Sequence, residues 1–317
     1  MDLLRVILVC GVAAAHAGLL TGHDDGWLAI FGLGILRSVV PAFAVVSGYG
    51  VYQTVRRDRL KGWTIGLLLL YLIWCVIYAP LWLRDVGSVA DLVRMLIMGP
   101  AHLWYIAALL QSIALMLVLF ALIGDRRRAT RAILLIAVAF ALLDGVVQYG
   151  VLLQLLDPGL AVFHSGALYL FPFVAMGYLL AHVMDGRGRD FLPPAPWLWL
   201  GVIVLSVLRL VEAIYFASLS SGDKLIAPEF PLLAYAYPLV VVLAFMRLRM
   251  PQPNVDLVTL SAMIYLMHLG VIVAVMYAGV NDLWVNFAAS VLIPSVLVVA
   301  TPGIPWMGFR QRKRATA

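Results

Sequence analysis

Apolar runs that carry almost no charge recur from one end of this 317-residue chain to the other. Each is about 20 residues long, the length of helix that crosses a hydrocarbon core. The runs fall at 2–20, 37–55, 62–83, 102–124, 132–155, 161–184, 196–219, 228–246, 257–278 and 284–303. Such a pattern predicts an all-α polytopic membrane protein, a bundle of about ten transmembrane helices. A further apolar stretch, WLAIFGLGIL, precedes Arg37. Joined to the next run it is too long for a simple span, so it is expected as a short extra helix or an interfacial segment. Hydrophobic residues make up 64% of the chain and charged residues 12%, against about half and about a quarter in a soluble domain. No polar stretch is long enough to fold alone. Residues 1–304 are therefore read as one transmembrane domain, followed by a basic tail at 305–317.

The net charge of +6 would raise nucleic acid as a partner for a soluble protein. Here the basic residues lie in short loops, where topology accounts for them and nucleic acid is not needed. RRDRLK (56–61), DRRRATR (125–131), DGRGRD (185–190), RLRMPQPNVD (247–256) and the terminal RQRKR fall on one side with Arg5. The other side has only Arg84, Arg94 and Lys224, against eight acidic residues. The positive-inside rule puts the basic side, and with it both termini, in the cytoplasm. Arg5 followed by VILVCGVAAAHAG resembles a signal peptide. The weakly basic start, ahead of a chain that is itself membrane-spanning, favours a retained first helix. The two cysteines, Cys10 and Cys75, lie inside apolar runs and do not suggest a disulfide scaffold.

Ionisable side chains inside such runs are costly and mark cavities or partners. They are Arg5, His16, Arg37, Asp144, His164, Arg209, Glu212, His268 and, at a helix start, His102. Arg5 and His16 are eleven residues apart on one helix, which sets them on one face roughly 16 Å apart. Their spacing fits either a snorkelling Arg with an interfacial His or a cavity-lining pair. Arg209 and Glu212 share a face and fit a structural ion pair or a cavity lining. Asp144 needs a partner or a proton. Arg56, Arg57, Arg59 and Lys61 anchor the topology and also suit a phosphorylated ligand, because guanidinium groups grip phosphate bidentately. Anionic lipid headgroups would suit them equally. No Walker, Rossmann, HExxH or Cys/His metal spacing is present, so no metal is expected.

These elements, in this order, resemble the membrane-bound acyltransferase family 3, whose members O-acylate surface polysaccharides, lipid-linked glycans and some antibiotics. The resemblance lies in Arg5 with His16, in PAFAVVSGY from Pro41 to Tyr49, in Arg57-Asp58-Arg59, in HLWY from His102 to Tyr105, and in YLMH from Tyr265 to His268. Residues 106–260 carry little of it. The resemblance implies an enzyme that takes an acyl group, most commonly acetyl, from cytoplasmic acyl-CoA. It passes the group to a hydroxyl of an extracytoplasmic sugar, polysaccharide or glycolipid. Arg57 and Arg59, with Arg56 and Lys61 beside them, would hold the phosphates of acetyl-CoA or another acyl-CoA. His16 would act as general base, or take the acyl group itself, with Arg5 in support. His102, Trp104, Tyr105, His268, Arg209 and Glu212 would face substrate. Asp144, Glu212 or another carboxylate could orient His16, although no spacing selects one. The setting implied is the bacterial inner membrane, with membrane lipids around the chain and a homodimer or polysaccharide-biosynthesis partners left open. The competing class is a transporter or flippase using the same buried Arg, His and Glu residues as a path.

Overall fold

Hydrocarbon offers no water to bond a stray N–H or C=O, so an apolar run of this length closes its own backbone bonds as a helix. The computed structural model describes residues 1–23, 26–157, 166–188, 190–219, 232–248 and 255–301, and every regular element among them is helical. In order these are α1 (Asp2–Leu20), α2 (Gly26–Gly34), a 3-10 turn (Leu36–Ser38), α3 (Val39–Arg56), α4 (Leu60–Ile77), α5 (Ala79–Trp82) and α6 (Val89–Met98). There follow a 3-10 turn (Ala101–Leu103), α7 (Trp104–Ile123), α8 (Arg126–Leu152), α9 (Ala167–Arg187), α10 (Ala195–Leu219), α11 (Leu233–Arg247), α12 (Leu257–Tyr277) and α13 (Leu283–Ala300).

Nine stretches of the described residues are long and apolar enough to cross a membrane, with Leu28–Arg56 counted as one. The chain is an all-α polytopic bundle. The run expected at 228–246 appears as α11, a helix of 15 residues. At 1.5 Å per residue that is about 22 Å, short of a hydrocarbon core of about 30 Å. The apolar stretch ahead of Arg37 is indeed a separate short helix, α2. Two short helices, α5 and α6, were not expected. The run at 62–83 ends its long helix at Ile77, and the following loop holds α6, started by Ser88, whose Oγ accepts from Asp91 N–H at 3.1 Å. The 305–317 tail and His164 lie outside the described residues.

Helix α9 forms the centre: 67% of its most apolar window is buried, against 17% for α4 and α10 at the periphery. Its backbone meets that of α3 directly. A Cβ on Gly48 would sit 1.9 Å from the carbonyl oxygen of Val174, and one on Gly177 would sit 1.9 Å from that of Val45. Small residues are the means by which membrane helices reach such closeness. Large exposed residues such as Leu72, Val76, Leu135 and Val207 line the outer faces. On a soluble protein they would form sticky patches; here they are the lipid-facing surface.

The break between α2 and α3 frees carbonyls that hydrocarbon cannot satisfy. Arg209 on α10 answers it. Its Nη2 donates to Leu33 O at 2.9 Å, its Nε to Ser38 Oγ at 3.3 Å, and its Nη1 to Glu212 Oε2 at 2.7 Å. The guanidinium is fully buried, with Glu212 as its counter-charge. Asp144 on α8 has a comparable task, accepting from Tyr235 Oη on α11 at 2.9 Å and from Gln148 Nε2.

Candidate active site

Four sequence elements far apart in the chain are stitched toward one locus by three hydrogen bonds. Ser47 Oγ, in the Pro41–Tyr49 stretch of α3, lies 2.9 Å from Tyr105 Oη at the start of α7. Tyr265 Oη on α12 donates to the carbonyl of His102. His268, one turn further along α12, meets His16 of α1, with Nε2 to Nδ1 at 3.2 Å. His102 stacks into the same group, its ring 4.9 Å from that of His268, 4.8 Å from Tyr78 and 5.5 Å from Tyr265.

A cavity of about 760 Å³ opens on this locus. Its walls include His16, His102, Trp104, Tyr105, Tyr169, Tyr265 and Trp284, with Arg37 and His23 also on its surface. Volumes of several hundred Å³ with an aromatic lining and a few converging polar groups are typical of small-molecule sites. His268 lies behind His16, fully buried and off the cavity wall. Arg209 and Glu212 are also off the wall. Among the described residues no group of histidines, cysteines and carboxylates is arranged to hold a metal ion.

The surroundings decide which ring nitrogens carry hydrogen. His268 Nδ1 faces two carbonyls, Tyr265 O at 2.7 Å and Ile264 O at 3.1 Å. Carbonyls only accept, so Nδ1 carries the hydrogen and, in the neutral ring, Nε2 offers a lone pair. His16 Nδ1 faces that lone pair and Val12 O at 3.0 Å. Both are acceptors, so the His16 hydrogen is on Nδ1 as well. The Nε2 of His16 is left as a lone pair without a hydrogen-bond partner among the described residues, on a ring that lines the cavity. Among the described residues no carboxylate bonds the His16 ring, and its side-chain partner is His268. Both ring nitrogens of His102 are buried and close no hydrogen bond; the nearby Leu266 carbonyl accepts from Tyr78 Oη at 2.8 Å instead.

Tyr78 was not singled out by the sequence, and it sits at the heart of this arrangement. Its hydroxyl donates to Leu266 O and accepts from Gly270 N–H at 3.0 Å. Those two groups would bond to each other in an uninterrupted helix. A side chain is thus inserted into the ladder of α12 across His268. Nothing in the pattern of the 62–83 run marks Tyr78 as different from an ordinary aromatic near a membrane surface.

The basic group lies at the other end of α3. Taking Val40 on the cavity wall and Arg57 past the helix end, seventeen residues at 1.5 Å make about 26 Å. None of the four basic residues touches the cavity. The helix ends in a Schellman turn, with Asp58 N–H on Val55 O at 3.1 Å and Arg59 N–H on Thr54 O at 3.0 Å. Asp58 takes the left-handed position, φ +53°. The turn leaves Arg57, Arg59 and Lys61 exposed. Arg56 is instead paired with Asp185 of α9, and Arg126 of α8 donates to Val55 O at 3.1 Å. Arg5 bonds Asp2 Oδ1 at 3.2 Å and lies beside Gly50, on the α1 turns between the basic end and the cavity.

Compared with family models, residues 1–306 match the one described as an acyltransferase domain, acyltransferase family 3. No curated protein and no solved structure matches the chain.

Proposed function

The chain belongs to the membrane-bound acyltransferase family 3, and from that premise we propose that it moves an acyl group from acyl-CoA to a hydroxyl across the membrane, with His16 as general base. The observation that carries this reading is the unpaired Nε2 lone pair of His16, borne by a ring on the wall of an aromatic cavity. In this reading the short α11 crosses a locally thinned bilayer as the tenth span, and both termini and the basic loops lie in the cytoplasm. Arg57 and Arg59, exposed beyond α3, grip the phosphates of the donor, acetyl-CoA in the simplest case, with Lys61 beside them. A long thin arm then runs the length of α3 and brings the thioester to the cavity. The chain acts in a bacterial cytoplasmic membrane.

The acceptor is a sugar, as part of a polysaccharide or glycolipid. Trp104, Tyr105, Tyr169 and Trp284 give the cavity an aromatic lining, which suits the C–H side of a sugar ring. His16 Nε2 takes the proton of the acceptor hydroxyl as its oxygen attacks the thioester carbon. The C–S bond then breaks, and the same proton passes to the departing CoA sulfur, so ester and thiol are the products. The neutral His102 ring, its nitrogens buried, forms part of the cavity wall beside His16 and sets the shape of the space in which the thioester carbonyl lies.

The test is CoA thiol release from acetyl-CoA by protein in liposomes, with a membrane glycolipid extract as acceptor. His16→Ala should abolish release while donor binding persists. Arg57→Ala with Arg59→Ala should weaken donor binding. Full release by His16→Ala protein would refute the assignment.

A further inference from the structure

We propose that His268 is a positioning residue for His16, accepting its Nδ1–H and thereby stabilising the doubly protonated His16 ring that forms while the acceptor hydroxyl gives up its proton. This rests on the reading of His16 as general base.

The geometry makes a chain with one direction. Tyr265 O and Ile264 O hold the hydrogen of His268 on Nδ1, which turns its Nε2 lone pair toward His16. His16 donates from Nδ1, and its own lone pair faces outward. When His16 takes a proton at Nε2, its Nδ1–H becomes part of a cation and binds an acceptor more strongly. Val12 O already accepts from it, and His268 supplies the second acceptor in a place water does not reach, since His268 is fully buried. A carboxylate would do this with more force, but an ionised carboxylate in hydrocarbon is itself expensive. Those of Glu212 and Asp144 are bound to Arg209 and to Tyr235 with Gln148. The chain also ends at backbone carbonyls, which cannot take up a proton. A proton gained by His16 therefore has to leave by the nitrogen at which it entered, toward the CoA sulfur. Two features hold His268 to this task. Tyr78 pins α12 from the far side at Leu266 and Gly270, and Tyr265 ties it to the His102 carbonyl.

The experiment compares His268→Phe, His268→Gln and His16→Ala in the thiol-release assay. Phe keeps the bulk and removes the acceptor. The amide oxygen of Gln reaches the position of the lost Nε2. His268→Phe should lower kcat about 10- to 100-fold, the size of a hydrogen bond to a charged group, with KM for acetyl-CoA unchanged. His268→Gln should recover most of that loss. A residue that only packed would show neither the confinement to kcat nor the rescue by Gln. Loss in His16→Ala with full activity in His268→Phe would overturn this inference and leave the general-base reading standing. Full activity in His16→Ala would remove both. One measurement needs no active variant: nitrogen-15 NMR of histidine-labelled wild type, with the His268 signals assigned by their disappearance in His268→Gln. Hydrogen on Nδ1 and none on Nε2 is expected, and hydrogen on Nε2 would overturn the proposal.

Discussion

Replacing His102 by Phe should make the protein no less stable while damaging transfer. His102 is 3% exposed, and neither ring nitrogen closes a hydrogen bond. An unsatisfied buried polar group costs about 1–3 kcal/mol, and Phe removes both nitrogens at once. Its slightly larger ring meets the edges of Tyr78 and His268, at centroid distances of 4.8 and 4.9 Å, where aromatic pairs are favourable. Some of the gain goes to overpacking. The net expectation is a stability change between zero and about +1 kcal/mol, or up to about 2 °C in Tm for a chain of this size. Transfer should fall about 10²-fold, the effect of displacing a wall of the site by about 1 Å, because the larger ring pushes on the cavity beside His16. Thermal unfolding in detergent and CoA thiol release, measured on the same preparation, decide the matter. Wild-type turnover would show that the His102 wall does not shape the site. A clear fall in Tm would show that its nitrogens are satisfied and structural, and the reasoning from unpaired atoms would be wrong.

Gly48→Ala should cost at least about 1–3 kcal/mol, the range for overpacking. Its Cβ would lie 1.9 Å from a backbone oxygen of α9 that has no room to give, and a normal Tm would contradict the packing described. Arg209→Met should destabilise by about 3–5 kcal/mol, because Glu212 is left charged and unpartnered. Size-exclusion and melting would reveal it, and folded protein with only a raised donor KM would instead argue for a substrate contact. Asp58→Gly should stabilise by about 1 kcal/mol by relieving the left-handed residue at the end of α3. Calorimetric titration with acetyl-CoA should show binding at least as tight as wild type, since the flanking arginines keep their turn and a negative charge between them is gone.

The long helices were readable because hydrocarbon leaves an apolar run no other regular structure. The break ahead of α3 was readable for a similar reason, since that run exceeds one span. Helix α6 was missed because ten amphipathic residues between charged groups look like a surface loop. At the site, spacing alone could link Arg5 with His16, and the ordered motifs drew attention to His102, Tyr105 and His268. What no spacing could supply is that His16 and His268, 252 positions apart, share one hydrogen bond. Tyr78 stayed invisible because its role depends on which carbonyl of another helix lies opposite. For a partner to His16 the sequence offered Asp144, Glu212 or another carboxylate, with no spacing that selects one. Inside the bilayer the partner of His16 is instead a neutral ring, itself fixed by two carbonyls, and no charge is buried there.

The two hydrophobic clusters of the bundle divide α1 and α12 between them. Leu4, Leu8 and Val12 belong to the main core together with Leu266 and Leu269 of α12. Ala17 and Ile272 belong to a separate small cluster with Leu283 of α13, flanked by Leu28 of α2. His16 and His268 stand where the two clusters part. Helix α13 packs along both α12 and α1, and its Leu283 and Phe287 serve the small cluster and the cavity wall at once, with Trp284 between them on that wall. One turn of α13 thus shapes the cavity, while α1 and α12 alone supply the paired imidazoles. Substitutions at 283–287 would change what the cavity accepts without touching either histidine.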